Sequence, residues 1–220
     1  MDPYASEKEQ IEALRSWWRG NGKAVVVGVI LGLGVLFGWR AWQSYHHVRA
    51  GQASMEYAQM SVAVAAAKDD QARQWAAQII ADFATTPYAP LAAFTLARLD
   101  VEKGDLKAAQ ARLKWAVDHA GDRVIRAVAR LRLARVLLSE GQPQAAWNVI
   151  RDVQPGGFAA SYDQLRGDLY MAQKDSGKAH AAYQQALKEL GPDAAPEERA
   201  LLEMKVGSLG SEAHPAPKQP

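Results

Sequence analysis

The chain has 220 residues, 49% of them hydrophobic and 23% charged, which is typical of a globular protein and excludes wholesale disorder or a polytopic membrane protein. Its 26 basic and 24 acidic residues nearly balance, so no nucleic-acid partner is expected. The absence of cysteine excludes disulfide bonds, thiolate nucleophiles and cysteine-ligated zinc.

Residues 1–23 resemble a short amphipathic helix. Ser6 and Glu9 have the spacing of a capping box, which predicts a helix start at Ser6. Apolar residues follow near helical spacing; they are Ile11, Leu14, Trp17 and Trp18. We expect this cytoplasmic segment to lie on the bilayer or to contact a partner.

Residues 24–39 form one apolar run, AVVVGVILGLGVLFGW, without a charged or amide side chain. As a helix the run spans about 24 Å of a hydrocarbon core that is roughly 30 Å thick. Lys23 and Arg40 can extend toward the headgroups, where flanking tryptophans are also favoured. Residues 24–42 are therefore predicted to be one transmembrane helix in contact with membrane lipid. The flanking tryptophans are Trp17, Trp18, Trp39 and Trp42.

Two other kinds of segment share features with this run, a cleaved signal peptide and a buried core helix. A cleaved signal peptide also combines a basic start with an apolar stretch, but bulky residues such as Arg40, Trp42 and Tyr45 occupy the region where cleavage needs small ones. A buried core helix would have a partly polar stripe, whereas this run is apolar on all sides. Both alternatives fit the residues less well than an anchor.

The orientation of the anchor follows from the basic residues near its ends, because these stay on the cytoplasmic side. Four precede the run and two follow it; they are Lys8, Arg15, Arg19, Lys23, Arg40 and Arg49. This count predicts a cytoplasmic N-terminus. In a bacterium the chain would then be a single-pass inner-membrane protein with its larger part in the periplasm.

Small residues recur within the predicted anchor. Ala24, Gly28 and Gly32 share one face at four-residue spacing, and Gly34 and Gly38 share another. Small residues let transmembrane helices approach closely, so both faces are candidate helix contacts. Glycine is also common in membrane helices, which leaves a purely compositional explanation open.

Beyond residue 42 the chain is rich in alanine and leucine, and turn signals separate about nine helix-length segments. Gly104, Gly141 and Gly191 are placed to end helices in the left-handed conformation, and Pro143 and Pro196 to begin them. The prediction is an all-α chain with a periplasmic domain at residues 43–209. The proline-bearing residues 210–220 are predicted to be a disordered tail.

A repeat of about 34 residues runs through this domain. Small residues mark the centre of three helices, Leu96-Ala97, Leu133-Ala134 and Arg166-Gly167, at spacings of 37 and 33. Further alanines follow twelve positions after each centre, at Ala109, Ala146 and Ala179. This pattern predicts a tetratricopeptide-like solenoid of helix pairs, with residues 46–84 capping its front and residues 196–209 its back.

The chain resembles the YfgM-type ancillary subunits of the Sec translocon. The most specific parts are residues 21–42 (NGKAVVVGVILGLGVLFGWRAW), 127–138 (AVARLRLARVLL) and 165–169 (LRGDL). The resemblance implies a type II inner-membrane protein with a periplasmic repeat domain. The chain departs from the family pattern at Lys174, where glycine is usual, and in the extension after Gly210.

The resemblance also implies partners and a role. It implies association with the SecYEG translocon and with the membrane-bound periplasmic chaperone PpiD, and the transfer of emerging secretory chains to periplasmic chaperones. An alternative implied role is envelope-stress regulation, as negative control of the Rcs phosphorelay regulator. A structural scaffold in the envelope belongs to the same alternative.

The concave face of such a solenoid is built mainly from the first helix of each pair. Residues at and around the small centres are therefore candidates for a client or partner groove; they are Phe94, Arg98, Val101, Leu131, Arg135, Leu138, Gln164, Asp168 and Met171. An apolar floor with charged rims suits an extended or helical client segment. Alternatively, Arg135 and Asp168 pair between adjacent repeats and the apolar members are core.

No residue pattern indicates catalysis. The five histidines lack metal-ligand spacing, and no P-loop, nucleophile elbow or carboxylate pair is evident, so no cofactor, metal or small-molecule substrate is expected. Arg123, Arg126 and Arg130 share one helical stripe, which is either a partner patch or a solvated face. The residues favour a noncatalytic membrane-anchored adaptor over a membrane-anchored hydrolase.

Overall fold

The computed structural model describes residues 3–212, and within them the chain folds into nine α-helices and one 3-10 helix, with no strand. The predicted all-α fold is confirmed. The helices are α1 (Pro3–Ala65), α2 (Asp69–Asp82), α3 (Tyr88–Glu102), α4 (Leu106–His119), α5 (Arg123–Ser139), α6 (Pro143–Ile150), the 3-10 helix (Gly156–Phe158), α7 (Ala159–Ala172), α8 (Ser176–Glu189) and α9 (Pro196–Glu212).

The chain divides into two compact units, Met1–Arg49 and Ala50–Pro220. In the first unit, α1 carries the one segment of residues 3–212 that is long and apolar enough to cross a membrane. Its apolar side chains are uncovered, with Leu31 65% and Phe37 69% exposed. So much exposed apolar surface is unfavourable in water and favourable in lipid.

The start of α1 differs from the sequence prediction. The helix begins at Pro3, so Ser6 lies inside it, and the predicted capping box does not mark its start. The Gly-Asn-Gly sequence before residue 23 does not break it either. The Asn21 side-chain amide there donates to the Trp17 carbonyl oxygen at 3.2 Å. The amphipathic segment is thus part of one long helix.

The predicted domain boundaries coincide with no break in α1. The helix runs through residues 23 and 42 without interruption, so the limits of the segments 1–23, 24–42 and 43–209 stay predictions. At the other end α9 continues to Glu212, three residues into the predicted tail 210–220. Residues 213–220 lie outside the described part of the chain.

The second unit is a stack of helix pairs. From α2 onward each helix packs against the next one in the chain, and the first helices of successive pairs, α3, α5 and α7, also contact one another. The core runs between the two layers and includes fully buried large side chains; these include Ile79, Leu99, Ile150, Tyr162, Leu165, Leu169 and Leu202. This is the predicted helical-repeat solenoid.

The first helix of each pair ends in the same turn. Gly104 and Gly141 have φ angles of +78° and +74°, which confirms their predicted left-handed conformation. Gly104 N–H donates to Val101 O at 2.9 Å, and the next amide, of Asp105, donates to Asp100 O at 2.8 Å. These paired bonds satisfy carbonyl groups that a helix end leaves without partners.

Two non-glycine residues adopt this turn as well. Lys174, where the repeat departs from glycine, has φ +62°, and Ala67 has φ +53°. Ala67 lies 37 residues before Gly104, so the end of α1 and α2 form a helix pair with the same turn as the later repeats. The third prediction, Gly191, is wrong, because α8 ends at Glu189 and the next residue, Leu190, is extended, so no left-handed residue is needed.

Close helix packing at Gly167 depends on the missing side chain. A Cβ atom there would lie 2.3 Å from Cε1 of Tyr183, a distance that real contacts do not show. The buried Tyr183 ring of α8 therefore rests directly on the backbone of α7. The predicted small residue at the centre of a first helix is explained by this contact.

We predict that Gly167→Ala lowers the free energy of unfolding by about 1–3 kcal/mol, because Tyr183 is displaced from a packed core. Urea titration of the full chain, followed by circular dichroism, measures the change. The matched control is Gly207→Ala in α9, where no atom lies within 4 Å of the added methyl group. The control should raise stability by up to about 1 kcal/mol. Equal stability of both variants would contradict the prediction.

Candidate functional site

A pocket of about 390 Å³ opens between α3 and α5. It contains three of the predicted groove residues, Phe94, Arg98 and Val101, all from α3. The first helices of two successive pairs thus contribute to one surface. Its lining is Phe94, Ala97, Arg98, Val101, Glu102, Leu113, Arg132 and Val136.

The floor of the α3–α5 pocket is apolar and firmly packed. Phe94, Ala97 and Leu113 belong to the main hydrophobic core and are at most 6% exposed. Val136 completes the floor from α5, while Val101 lies at the mouth with 44% of its surface exposed. Such a floor can accept an apolar side chain from another molecule without rearrangement of the core.

Of the two arginines at the rim of the pocket, one is paired with a carboxylate of the described residues and the other is not. Arg98 forms an ion pair with Glu102 four residues later on the same helix. Arg132 instead places its guanidinium carbon 4.6 Å from the centre of the Phe94 ring. Within residues 3–212, neither Arg132 nor its neighbour Arg135 has a carboxylate within ion-pair distance. The rim therefore has uncompensated positive charge.

Arg132 lies beside an aromatic ring and a second arginine. Burial lowers the pKa of its guanidinium, the positive charge of Arg135 adds to the effect, and the Tyr57 phenol opposes it. The residue is nevertheless exposed to solvent. Since an arginine stays protonated even with a lowered pKa, Arg132 is an exposed cation that lies over an aromatic ring.

The predicted groove residues of α5 are displaced by one position. Leu131 is 5% exposed and belongs to the core, and Leu138 is half-buried against it. Arg135 is exposed but does not line the pocket. The helix instead presents Arg132 and Val136, which the repeat alignment missed; their i, i+4 spacing on one stripe was the available signal.

The groove residues predicted on α7 have a different setting. Asp168 accepts hydrogen bonds from the Tyr183 hydroxyl at 2.7 Å and from Lys205 Nζ at 2.5 Å, and Lys205 also lies 5.0 Å from the Tyr183 ring centre. Burial, with the hydrogen bond and charge of Asp168, raises the pKa of Tyr183 well above its ordinary value. Asp168 thus joins α7, α8 and α9. The alternative Arg135–Asp168 ion pair is not found in the described range.

The other two candidates on α7 do not join the α3–α5 pocket. Gln164 is half-buried, and Met171 is 41% exposed near the end of the helix. Of the nine predicted groove residues, the structure brings three into one pocket and assigns Asp168 to a helix-joining contact.

The arginine stripe of α5 lines a second, smaller pocket of about 240 Å³ together with Asp152. Arg126 there donates through Nε to the Ala120 carbonyl oxygen at 3.0 Å, which closes the turn before α5. Arg123 is exposed, and Arg130 is half-buried. One of the three arginines therefore has a structural role.

In the predicted anchor, the described surface is open on both small-residue faces. No atom lies within 4 Å of a Cβ atom built on Gly28, Gly32, Gly34 or Gly38. Ala24 is exposed as well. A second helix could therefore approach either face closely.

Residues 3–212 contain no group of three histidine or acidic side chains placed to hold a metal ion. His119 has a local setting, stacked on Trp115 with ring centres 4.2 Å apart, while its Nδ1 lies 2.9 Å from the Trp115 carbonyl oxygen.

Comparison with known proteins agrees with this architecture. The chain matches the tetratricopeptide repeat-like domain family over residues 15–211. It is 34% identical to a protein of Escherichia coli (strain K12) over 95% of this chain and 99% of that protein. It is 33% identical to one from Haemophilus influenzae and 27% identical to one from Neisseria gonorrhoeae, over at least 94% of this chain and 99% of theirs. Each of the three is named an ancillary SecYEG translocon subunit.

We predict that Asp168→Ala lowers the free energy of unfolding by about 1–3 kcal/mol, because the buried Tyr183 hydroxyl and Lys205 both lose their acceptor. Urea titration measures the change. The matched control is Gln164→Ala, one turn earlier on α7, which should cost less than about 1 kcal/mol. Unchanged stability of Asp168→Ala, with loss of a copurifying partner, would instead make Asp168 a groove residue.

Proposed function

Because this chain belongs to the family of ancillary SecYEG translocon subunits, we propose that it is a noncatalytic, membrane-anchored adaptor associated with the Sec translocon. The similarity extends over nearly the full length of both chains, including the apolar part of α1. The observation that carries the proposal is this full-length identity of 34%, combined with an uncovered apolar helix and a repeat domain.

We propose that residues 24–42 cross the inner membrane, with residues 1–23 in the cytoplasm and residues 43–209 in the periplasm. Support comes from the exposed apolar surface of α1. It also comes from the basic residues near the apolar run 24–39, of which four precede the run and two follow it. The orientation places the repeat domain on the side where secretory chains emerge.

We further propose that the repeat domain links emerging secretory chains to the periplasmic chaperone network, with a PpiD-type chaperone as partner. The α3–α5 pocket supports this role because it combines a packed apolar floor with an exposed, charged rim. An anchor beside the translocon raises the local concentration of the domain, so weak contacts with clients suffice.

The test of translocon association is affinity purification of the tagged full-length chain from native membranes in mild detergent, followed by mass spectrometry. We expect translocon subunits and a periplasmic chaperone in near-stoichiometric amounts. Recovery of an envelope-signalling regulator without translocon subunits would contradict the proposal and favour the stress-regulator alternative.

The same purification tests the anchor as a docking surface. We expect Gly28→Ile combined with Gly32→Ile to reduce the recovery of translocon subunits, because the larger side chains hold a second helix away. The matched variant, Gly34→Ile combined with Gly38→Ile, changes the other small-residue face by the same volume. Recovery unchanged in both variants would mean that the glycines are merely compositional.

The proposed orientation is testable because the natural chain contains no cysteine. We expect a membrane-impermeant maleimide to label a single Ser176→Cys substitution in cells with a permeabilised outer membrane. A Ser6→Cys substitution should react only after the inner membrane is disrupted. The reverse labelling pattern would place the repeat domain in the cytoplasm and contradict the proposal.

A further inference from the structure

The α3–α5 pocket has a chemical character that the proposed function alone does not specify. Its volume of about 390 Å³ lies within the usual range of binding pockets, about 300–1,000 Å³. Its floor is formed by Phe94, Leu113 and Val136, all buried in the repeat domain. A pocket of this size and lining suits one large aliphatic or aromatic side chain.

The charges around the pocket come from the helices that face it. On α3, Arg98 is neutralised by Glu102. On α5, Arg132 and Arg135 add two positive charges without a paired carboxylate in the described part of the chain. Tyr57 of α1, which interacts electrostatically with Arg132, contributes a phenol and no carboxylate. The net charge offered to an occupant is therefore positive.

Arg132 is held in a position that favours a carboxylate. Its guanidinium stacks on Phe94, which restricts the side chain without using its hydrogen-bond donors. A guanidinium presents these donors as a planar fork that matches the two oxygens of a carboxylate. Arg132 is exposed and has no carboxylate within ion-pair distance in the described part of the chain, so its hydrogen-bond donors are open to a carboxylate from another molecule.

Resting on the proposed function, we infer that the α3–α5 pocket binds a polypeptide segment in which an aliphatic or aromatic side chain is flanked by acidic residues. The apolar side chain fills the pocket between α3 and α5, and the flanking carboxylates contact Arg132 and Arg135. Segments with the same apolar residue but basic or neutral neighbours bind more weakly. The pocket thereby selects among the emerging secretory chains that reach the repeat domain.

The test uses the full-length protein in nanodiscs of zwitterionic lipid and three fluorescent peptides. The first has a central leucine pair flanked by aspartate and glutamate. The second replaces these acids with asparagine and glutamine, and the third keeps the acids but replaces the leucines with serine. Fluorescence anisotropy measures the dissociation constants at low and high salt.

We expect the first peptide to bind about tenfold more tightly than either of the others, with the difference from the neutral peptide shrinking as salt rises. Arg132→Gln should remove most of that difference, since only Arg135 remains, and Arg132→Lys should keep more of it, because a charge remains without the planar fork. Arg123→Gln, at the exposed start of the same helix and outside the pocket, is the matched control and should keep it. Urea midpoints of all variants confirm that they fold.

Equal binding of the acidic and neutral peptides would overturn the inference, as would unchanged discrimination in Arg132→Gln. Absence of binding by all three peptides would overturn it too. The translocon purification is read separately. If translocon subunits are recovered with the natural chain but the peptides bind equally, only the inference about acidic segments is wrong. The proposed function is then still supported.

Discussion

The repeat domain depends on how closely two helix backbones can approach each other. Ala109, Ala146 and Ala179 are completely buried on the second helices, and Gly167 on α7 has no room for even one carbon atom beside Tyr183. At this separation the pairs stack with their large side chains between the layers. The apolar floor of the α3–α5 pocket is a continuation of that packing, so the candidate site and the core share one physical basis.

The sequence predicted the left-handed turns that contain glycine. The prediction failed where another residue adopts this conformation and where a glycine does not. Gly104 and Gly141 were recognised, but Ala67 has the same left-handed backbone without glycine, so a helix pair at the front of the domain was interpreted as a cap. Gly191 was a false signal, because the chain leaves α8 in an extended conformation. The residue type determines which backbone conformations a position can adopt easily. It does not determine which of them the surrounding packing imposes.

The sequence predicted three pocket residues on α3, but it assigned the wrong residues of α5 to the same surface. Successive residues of a helix point about 100° apart, so an alignment that is wrong by one residue on α5 exchanges Arg132 for Leu131. Asp168 shows a second limit. Its role is set by Lys205, 37 residues later on a helix with no counterpart in the repeat pattern. Charged residues at equivalent repeat positions therefore have different functions, depending on which further helix covers them.

The spacing of the repeated turns shortens from 37 residues, between Gly104 and Gly141, to 33 before Lys174. The loss falls in a segment whose helix α6 has eight residues, whereas α4 and α8 have fourteen each. Because α6 is separated from α7 by a turn and the 3-10 helix, the missing residues shorten the second helix without fixing the register of the next one. The contact between the first helices α5 and α7 is kept, so the solenoid accommodates a shorter helix in its outer layer without a break in its inner layer.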